Sequence, residues 1–263
     1  MRILVVSDIH ANWPALSAIN EPHDVCLCLG DLVDYGPDPA LCVRWAMEHA
    51  DYSIRGNHDH GVAQDVPVRG EEGFRYLTKV TRPHMWDSLG PEERLYLLRL
   101  PLTRRVTLGG LRFLLVHATP RDPLDEYVLK DRALWTKRLE NVDADVICVG
   151  HTHLQFNMLI DGKIVLNPGS VGQPRDGDPR AGYALIDDKK IELRRLAYPV
   201  EETVARVEAR DWPDQAKKFV AFVLRNGRAP AWGRDPESRA QDEAAANAEA
   251  TADEPPMPDQ EPK

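Results

Sequence analysis

Asp8 and His10 stand two residues apart at the end of the short apolar run Arg2 to Ser7. Gly30-Asp31-Leu32-Val33-Asp34 follows the run Asp24 to Leu29, and Gly56-Asn57-His58-Asp59 follows Tyr52 to Ile54. His117 comes after Phe113 to Val116, and Gly150-His151-Thr152-His153 after Asp145 to Val149. Carboxylate, carboxamide and imidazole donors without a thiolate suit Mn²⁺, Fe, Zn²⁺, Co²⁺ or Ni²⁺ rather than Ca²⁺. The seven candidate ligands in these clusters are too many for one tetrahedral ion, so two metals are the economical reading. Taken singly, an Asp-x-His pair or a Gly-Asn-His-Asp turn is commonplace. Five of the nine histidines in such clusters, each behind a predicted strand, are not.

The elements that must position these side chains are legible in outline. Arg2 to Ser7, Asp24 to Leu29 and Tyr52 to Ile54 read as buried strands, with amphipathic stretches at Pro14 to Asn20 and Pro39 to His49 between them, a βαβαβ start. If the first strand stays extended, the two-residue spacing points Asp8 and His10 to one side. Gly109-Gly110 and Asp161-Gly162 supply the positive φ that tight hairpin turns need, joining Thr103 to Leu108 with Leu111 to Val116 and Gln155 to Ile160 with Lys163 to Leu166. Residues 60–100 insert helical material, opened in part by Gly90-Pro91-Glu92-Glu93, that serves as a lid or as scaffold. Glu201 to Leu224 predicts two more helices, the second with an apolar face at Phe219, Val220 and Val223. Open α/β sheets bind ligands beyond the carboxyl ends of their strands, so the five clusters are expected to converge.

With 263 residues and 43% apolar content, the chain can bury a sizeable core. Its formal charge of −9 makes it a poor general attractant for nucleic acid or an anionic membrane. The longest apolar run, Phe219 to Leu224, is far short of the roughly 20 residues that span a bilayer. The opening residues read as a strand rather than an export signal, which places the protein in the cytoplasm. Cys26, Cys28, Cys42 and Cys148 show no paired spacing and are expected to be buried free thiols. The domain is expected over 1–225 and an acidic, disordered tail over 226–263. The composition changes near Gly233, and from Asp235 to Lys263 nine acidic residues face two basic ones and no aromatic.

The ordered set Asp8-x-His10, Gly30-Asp31-x-x-Asp34, Gly56-Asn57-His58-Asp59, His117 and Gly150-His151-x-His153 closely resembles the calcineurin-like metallophosphoesterase superfamily, over roughly residues 1–170. Asp34-Tyr35-Gly36-Pro37-Asp38-Pro39, Pro120-Arg121-Asp122-Pro123 and Asn167-Pro168-Gly169-Ser170 look more like its small bacterial phosphodiesterase-type members than its protein phosphatases. The resemblance implies an αββα sandwich, two facing mixed β-sheets flanked by helices. It also implies a first metal on Asp8, His10, Asp31 and His153, with Asp31 bridging to a second on Asn57, His117 and His151. The metals, Mn or Fe with Zn, Co and Ni also fitting, would turn a shared water into hydroxide for in-line attack on phosphorus. His58 would protonate the leaving group, with Asp34 orienting its ring.

One departure matters: where protein phosphatases place an arginine after the second motif, this chain has Tyr35-Gly36. Ala118 also follows His117 where those enzymes have glycine, a small-for-small exchange expected to leave metal binding intact. Arg121 and Arg175, in loops near the clusters, are the candidate grips for an anionic substrate. The expected activity is therefore a two-metal phosphodiesterase acting on a small or nucleotide-like phosphodiester or phosphoanhydride. The rival readings are a phosphomonoesterase, phosphoprotein phosphatases included, and a non-catalytic metal-binding scaffold of the same fold.

Overall fold

The computed structural model describes residues 1–188 and 190–233. The first half comprises β1 (Arg2–Val6), α1 (Trp13–Ala18), β2 (Val25–Cys28), α2 (Pro39–His49), β3 (Tyr52–Ser53), α3 (Asn57–Ala63), α4 (Gly73–Ser88) and α5 (Pro91–Arg99). The second comprises β4 (Thr103–Leu108), β5 (Leu111–Val116), α6 (Arg132–Arg138), β6 (Val146–Cys148), β7 (Gln155–Ile160), β8 (Lys163–Pro168), β9 (Ala181–Asp187), β10 (Lys190–Leu196), α7 (Val200–Glu208) and α8 (Asp214–Asn226). Among the described residues the strands form two five-stranded sheets, ordered β10-β9-β1-β2-β3 and β4-β5-β6-β8-β7. Both are mixed: β1 is parallel to β2 and antiparallel to β9, and β8 is parallel to β6 and antiparallel to β7.

Burial on both faces explains why β1 reads as an unbroken apolar run. Ile3 and Val5 point into the space between the sheets and meet Leu27, Phe113, Leu115 and Leu166. Leu4 and Val6 point the other way and pack under the helices with Leu16, Val43 and Leu97. On the far face of the second sheet, Leu114, Val116 and Ile147 are covered by Trp135 of α6. A further cluster joins Phe74 and Leu77 of α4 to Val204 and Val207 of α7 and to Phe219, Val220 and Val223 of α8. The apolar face of α8 is thus docked on the protein's own helices.

Some expectations shift. The first helix runs Trp13–Ala18, ending before Asn20, and the β9–β10 hairpin and α6 were not anticipated. The chain remains ordered past the expected boundary at 225. Asn226 closes α8, Gly227 caps it with a φ of 60°, and Ala229, Pro230 and Gly233 are buried. The Trp232 ring stands edge-on to Phe219 at 5.4 Å between centroids. The expectation of a disordered acidic tail concerns residues 234–263, which lie outside the described residues. All four cysteines are free and buried. No helix among the described residues is long and apolar enough to cross a membrane.

Candidate metal centre and active site

The clusters converge, though Asp8 and His10 do not meet by strand alternation. β1 ends at Val6, and Asp8, His10, Asp31, Asp34, Tyr35, His151 and His153 all take left-handed backbone with φ between 47° and 65°. Such angles are costly for residues other than glycine and persist only when the surroundings hold them. Here the loops hold one another: the amides of Asp8, His10 and Ala11 donate to the carbonyls of Gly30, Asp31 and Leu32. Asp59, buried, accepts from the amides of Asp31 and Leu32 at 2.8 Å and of Gly56 at 3.0 Å, pinning the third turn to the second. Burial, reinforced by the charge of Asp31, pushes the Asp59 carboxyl up to about 7. A Cβ at position 56 would stand 2.0 Å from Asp31 Oδ1, so only glycine allows this approach. The Asn167-Pro168-Gly169-Ser170 phrase does similar work: Asn167 Nδ2 donates to the Gly150 carbonyl and Ser170 Oγ to the Asp8 carbonyl.

Three imidazoles are aimed by carbonyls behind them. Nδ1 of His10 donates to Val33 O at 3.0 Å, Nδ1 of His117 to Leu29 O at 2.8 Å, and Nδ1 of His153 to Gln173 O. A carbonyl only accepts, so each Nδ1 carries a hydrogen and each Nε2 faces the centre, with a free lone pair on His10 and His153. There His10 Nε2 and His153 Nε2 lie 3.1 Å apart, and His153 Nε2 is 3.3 Å from Asp8 Oδ1. Asp31 Oδ2 is 3.2 Å from His117 Nε2 and 3.7 Å from His10 Nε2. The two sets Asp8–His10–His153 and Asp8–Asp31–His117 are each compact enough to hold a cation. Two facing lone pairs repel unless a proton or a metal lies between them, and burial pushes His10 down to about 3 and His153 well below its usual range, which disfavours the proton. Asn57 Oδ1 and His117 Nε2 are moreover buried without an aligned hydrogen-bond partner among the described residues. Burial alone would lower the His117 imidazole, but Asp31, Asp8 and the Leu29 carbonyl together raise it to about 10. This donor set fits transition metal ions.

The centre floors a cavity of about 1070 Å³, lined by Asp31, Asn57, His58, His151, His153 and Arg175 and walled by the segment leading into α4. Asp8, His10 and His117 lie buried behind that floor. His58 Nδ1 is 2.7 Å from Asp34 Oδ2, and its Nε2 is 3.2 Å from the Tyr35 hydroxyl. Burial alone would lower the His58 imidazole, but Asp31 and Asp34 hold it above its ordinary value. Arg175 is buried, with its guanidinium 3.7 Å from the Phe74 ring centroid and Nη2 donating to Gln173 Oε1 at 3.0 Å.

Arg121 is not brought in. The loop after His117 folds back through Ala118 N to Pro123 O and Thr119 N to Asp122 O, which turns the Arg121 side chain outward, 68% exposed and 3.5 Å from Glu126. Sequence reading also missed Arg82 of α4, which reaches Asp34 from 48 positions away, and Tyr127, whose hydroxyl donates to Thr152 O at 3.3 Å and whose ring packs edge-on to His151. Neither belongs to a local motif.

Two facing mixed sheets with aspartate, asparagine and histidine gathered beyond their strand ends define a class of metal-dependent phosphoesterases. The chain belongs to it, matching the calcineurin-like phosphoesterase superfamily domain over residues 1–190. It is 33% identical over 238 residues to an uncharacterized protein of Methanocaldococcus jannaschii, an alignment covering 81% of this chain and 94% of that one. It is 25% identical over 214 residues to phosphodiesterase YfcE of Escherichia coli strain K12, covering 74% and 92%. The crystal structure of a metallophosphoesterase from Sphaerobacter thermophilus superposes with a TM-score of 0.71 at 29% identity, covering 86% and 99%.

Proposed function

We propose that this protein is a phosphodiesterase that works with two divalent transition metal ions, Mn or Fe foremost, on a small or nucleotide-like phosphodiester or phosphoanhydride. The observation that carries the reading is the facing imidazoles of His10 and His153 beside Asn57 Oδ1 and His117 Nε2, both buried without an aligned hydrogen-bond partner among the described residues, the latter 3.2 Å from Asp31 Oδ2. Asp8, His10, Asp31 and His153 would hold one ion, and Asp31, Asn57, His117 and His151 the other. Two ions so held supply a nucleophilic hydroxide at neutral pH and Lewis-acid stabilisation of the phosphoryl oxygens.

The chain's own residues supply the rest. His58 commits Nδ1 to Asp34, so Nε2, shared with the Tyr35 hydroxyl, is the atom that gives a proton to the leaving-group oxygen. Arg175, braced on Phe74, takes a non-bridging or remote anionic oxygen of the substrate. A diester carries one negative charge where a monoester carries about two. With Tyr35 standing where protein phosphatases carry an arginine, the cavity offers one cation fewer for a doubly charged monoester, which supports the less charged ester. Four buried free thiols accord with a cytoplasmic setting.

The test compares bis-p-nitrophenyl phosphate with p-nitrophenyl phosphate after metal-free protein is loaded with Mn²⁺ or Fe²⁺. Two ions per chain and a clear preference for the diester are expected. A preference for the monoester, or no hydrolysis by fully metallated protein, overturns the proposal.

A further inference from the structure

We propose that Arg82 is a positioning residue for proton delivery, locking the plane of the Asp34 carboxylate so that His58 is held toward the leaving group. The role rests on the phosphodiesterase reading above. Asp34 is fully buried, and a carboxylate bonded only to His58 Nδ1 could swing about its own axis. Arg82 removes that freedom. Its Nε lies 3.0 Å from both Asp34 oxygens and its Nη2 is 2.5 Å from Oδ2, the same oxygen that accepts from His58. A planar guanidinium engaging a carboxylate in this forked way fixes direction as well as distance, which a lysine does not.

Two further observations show a built arrangement. Neighbouring positions of α4 hold the same short segment: Thr81 Oγ1 accepts from the Tyr35 amide and Met85 Sδ from the Asp34 amide, each at 3.1 Å. Asp34 and Tyr35 both have left-handed backbone, so external holding is what keeps them there. Position 61, on α3, is glycine, and a Cβ there would stand 2.3 Å from Arg82 Nη1. The guanidinium occupies space that exists only because that side chain is missing. An ion pair kept for stability alone would need neither the glycine nor the shared oxygen.

The experiment uses the full chain loaded with Mn²⁺ and a series of aryl methyl phosphodiesters running from p-nitrophenol to phenol as leaving group. Arg82→Gln is expected to lower kcat by about 10- to 100-fold on the phenyl ester. On the p-nitrophenyl ester, whose leaving group needs little protonation, the loss should be much smaller, with KM and metal content unchanged. Arg82→Lys should recover part of the loss. Gly61→Ala, which displaces only the flexible end of Arg82 and suits a helix, should copy Arg82→Gln even if the latter folds poorly. In a His58→Ala background, Arg82→Gln should cost nothing further. Equal losses across the series, or additive losses in the double variant, overturn the role of Arg82 in an enzyme whose wild type is active. A wild type that is fully metallated yet hydrolyses no diester overturns the phosphodiesterase reading itself, and this role with it.

Discussion

Asp31 joins more of the site than any one motif suggests. Its Oδ1 accepts the His58 amide at 2.9 Å, its Oδ2 faces the imidazoles of His10 and His117, and its own amide is held by Asp59. Burial would raise its carboxyl, but His117 and His58 keep it well below the ordinary range, so it stays ionised. Asp31→Asn keeps the shape and removes the charge. Metal analysis should show affinity lowered by roughly 10- to 100-fold or more, with turnover lost in step; undiminished metal content would contradict a shared ligand. His58→Ala should leave the metal in place and lower the rate by about 10²–10⁴. Single-turnover assays across leaving groups check this, and a loss independent of the leaving group argues against proton donation. Residues with ligand chemistry were legible because they sit in short motifs behind strands. Arg82 was not, since an arginine in a helix has no local signature, and Arg121 misled because closeness to His117 in the chain is undone by the fold-back at 118–123.

The turns that carry the ligands depend on backbone packed against backbone and side chain. At Gly56, an added Cβ would also lie 2.6 Å from the Asp31 amide nitrogen. Gly56→Ala is therefore expected to cost about 1–3 kcal/mol in denaturant unfolding, through overpacking. It should depress metal binding as well, because the shared carboxylate must move; an unaltered unfolding midpoint would show that the two turns can separate. The hairpins at Gly109-Gly110 and Asp161-Gly162 were readable from their turns, and each of those residues has the positive φ the reading required. The β9–β10 hairpin was hidden because Asp188 turns without a glycine and β10 reads Lys-Ile-Glu-Leu-Arg-Arg-Leu, a charged strand at a sheet edge. α6 has only seven residues, too few for a clear helical period.

The centre draws Asp8 and Asp31 from loops behind β1 and β2 and Asn57 from the start of α3 behind β3 of one sheet, and His117, His151 and His153 from behind β5 and β6 of the other. Metal bound there ties the two sheets together. At free Mn²⁺ about 100 times its dissociation constant, linkage supplies about 2.7 kcal/mol. That corresponds to a rise in melting temperature of roughly 5–10 °C for a domain of this size, readable by scanning calorimetry. A midpoint insensitive to Mn²⁺ would mean that the folded protein does not bind the ion in preference to the unfolded chain. The βαβαβ start was legible from strand and helix alternation, and the two-sheet sandwich only through the family resemblance that the ordered motifs carry. The packing of Gly227 to Gly233 was not legible, because this stretch has neither apolar periodicity nor charge bias, yet packs back on Phe219.

The left-handed backbone at the metal-facing aspartates and histidines sets durability against turnover. Each such angle in a residue other than glycine costs of order 1–3 kcal/mol. In the function proposed above, that strain is kept for the ligands it aims at one centre. Trading one of these residues for glycine should therefore make the fold sturdier while it empties a ligand position, so that toughness and metal affinity move in opposite directions.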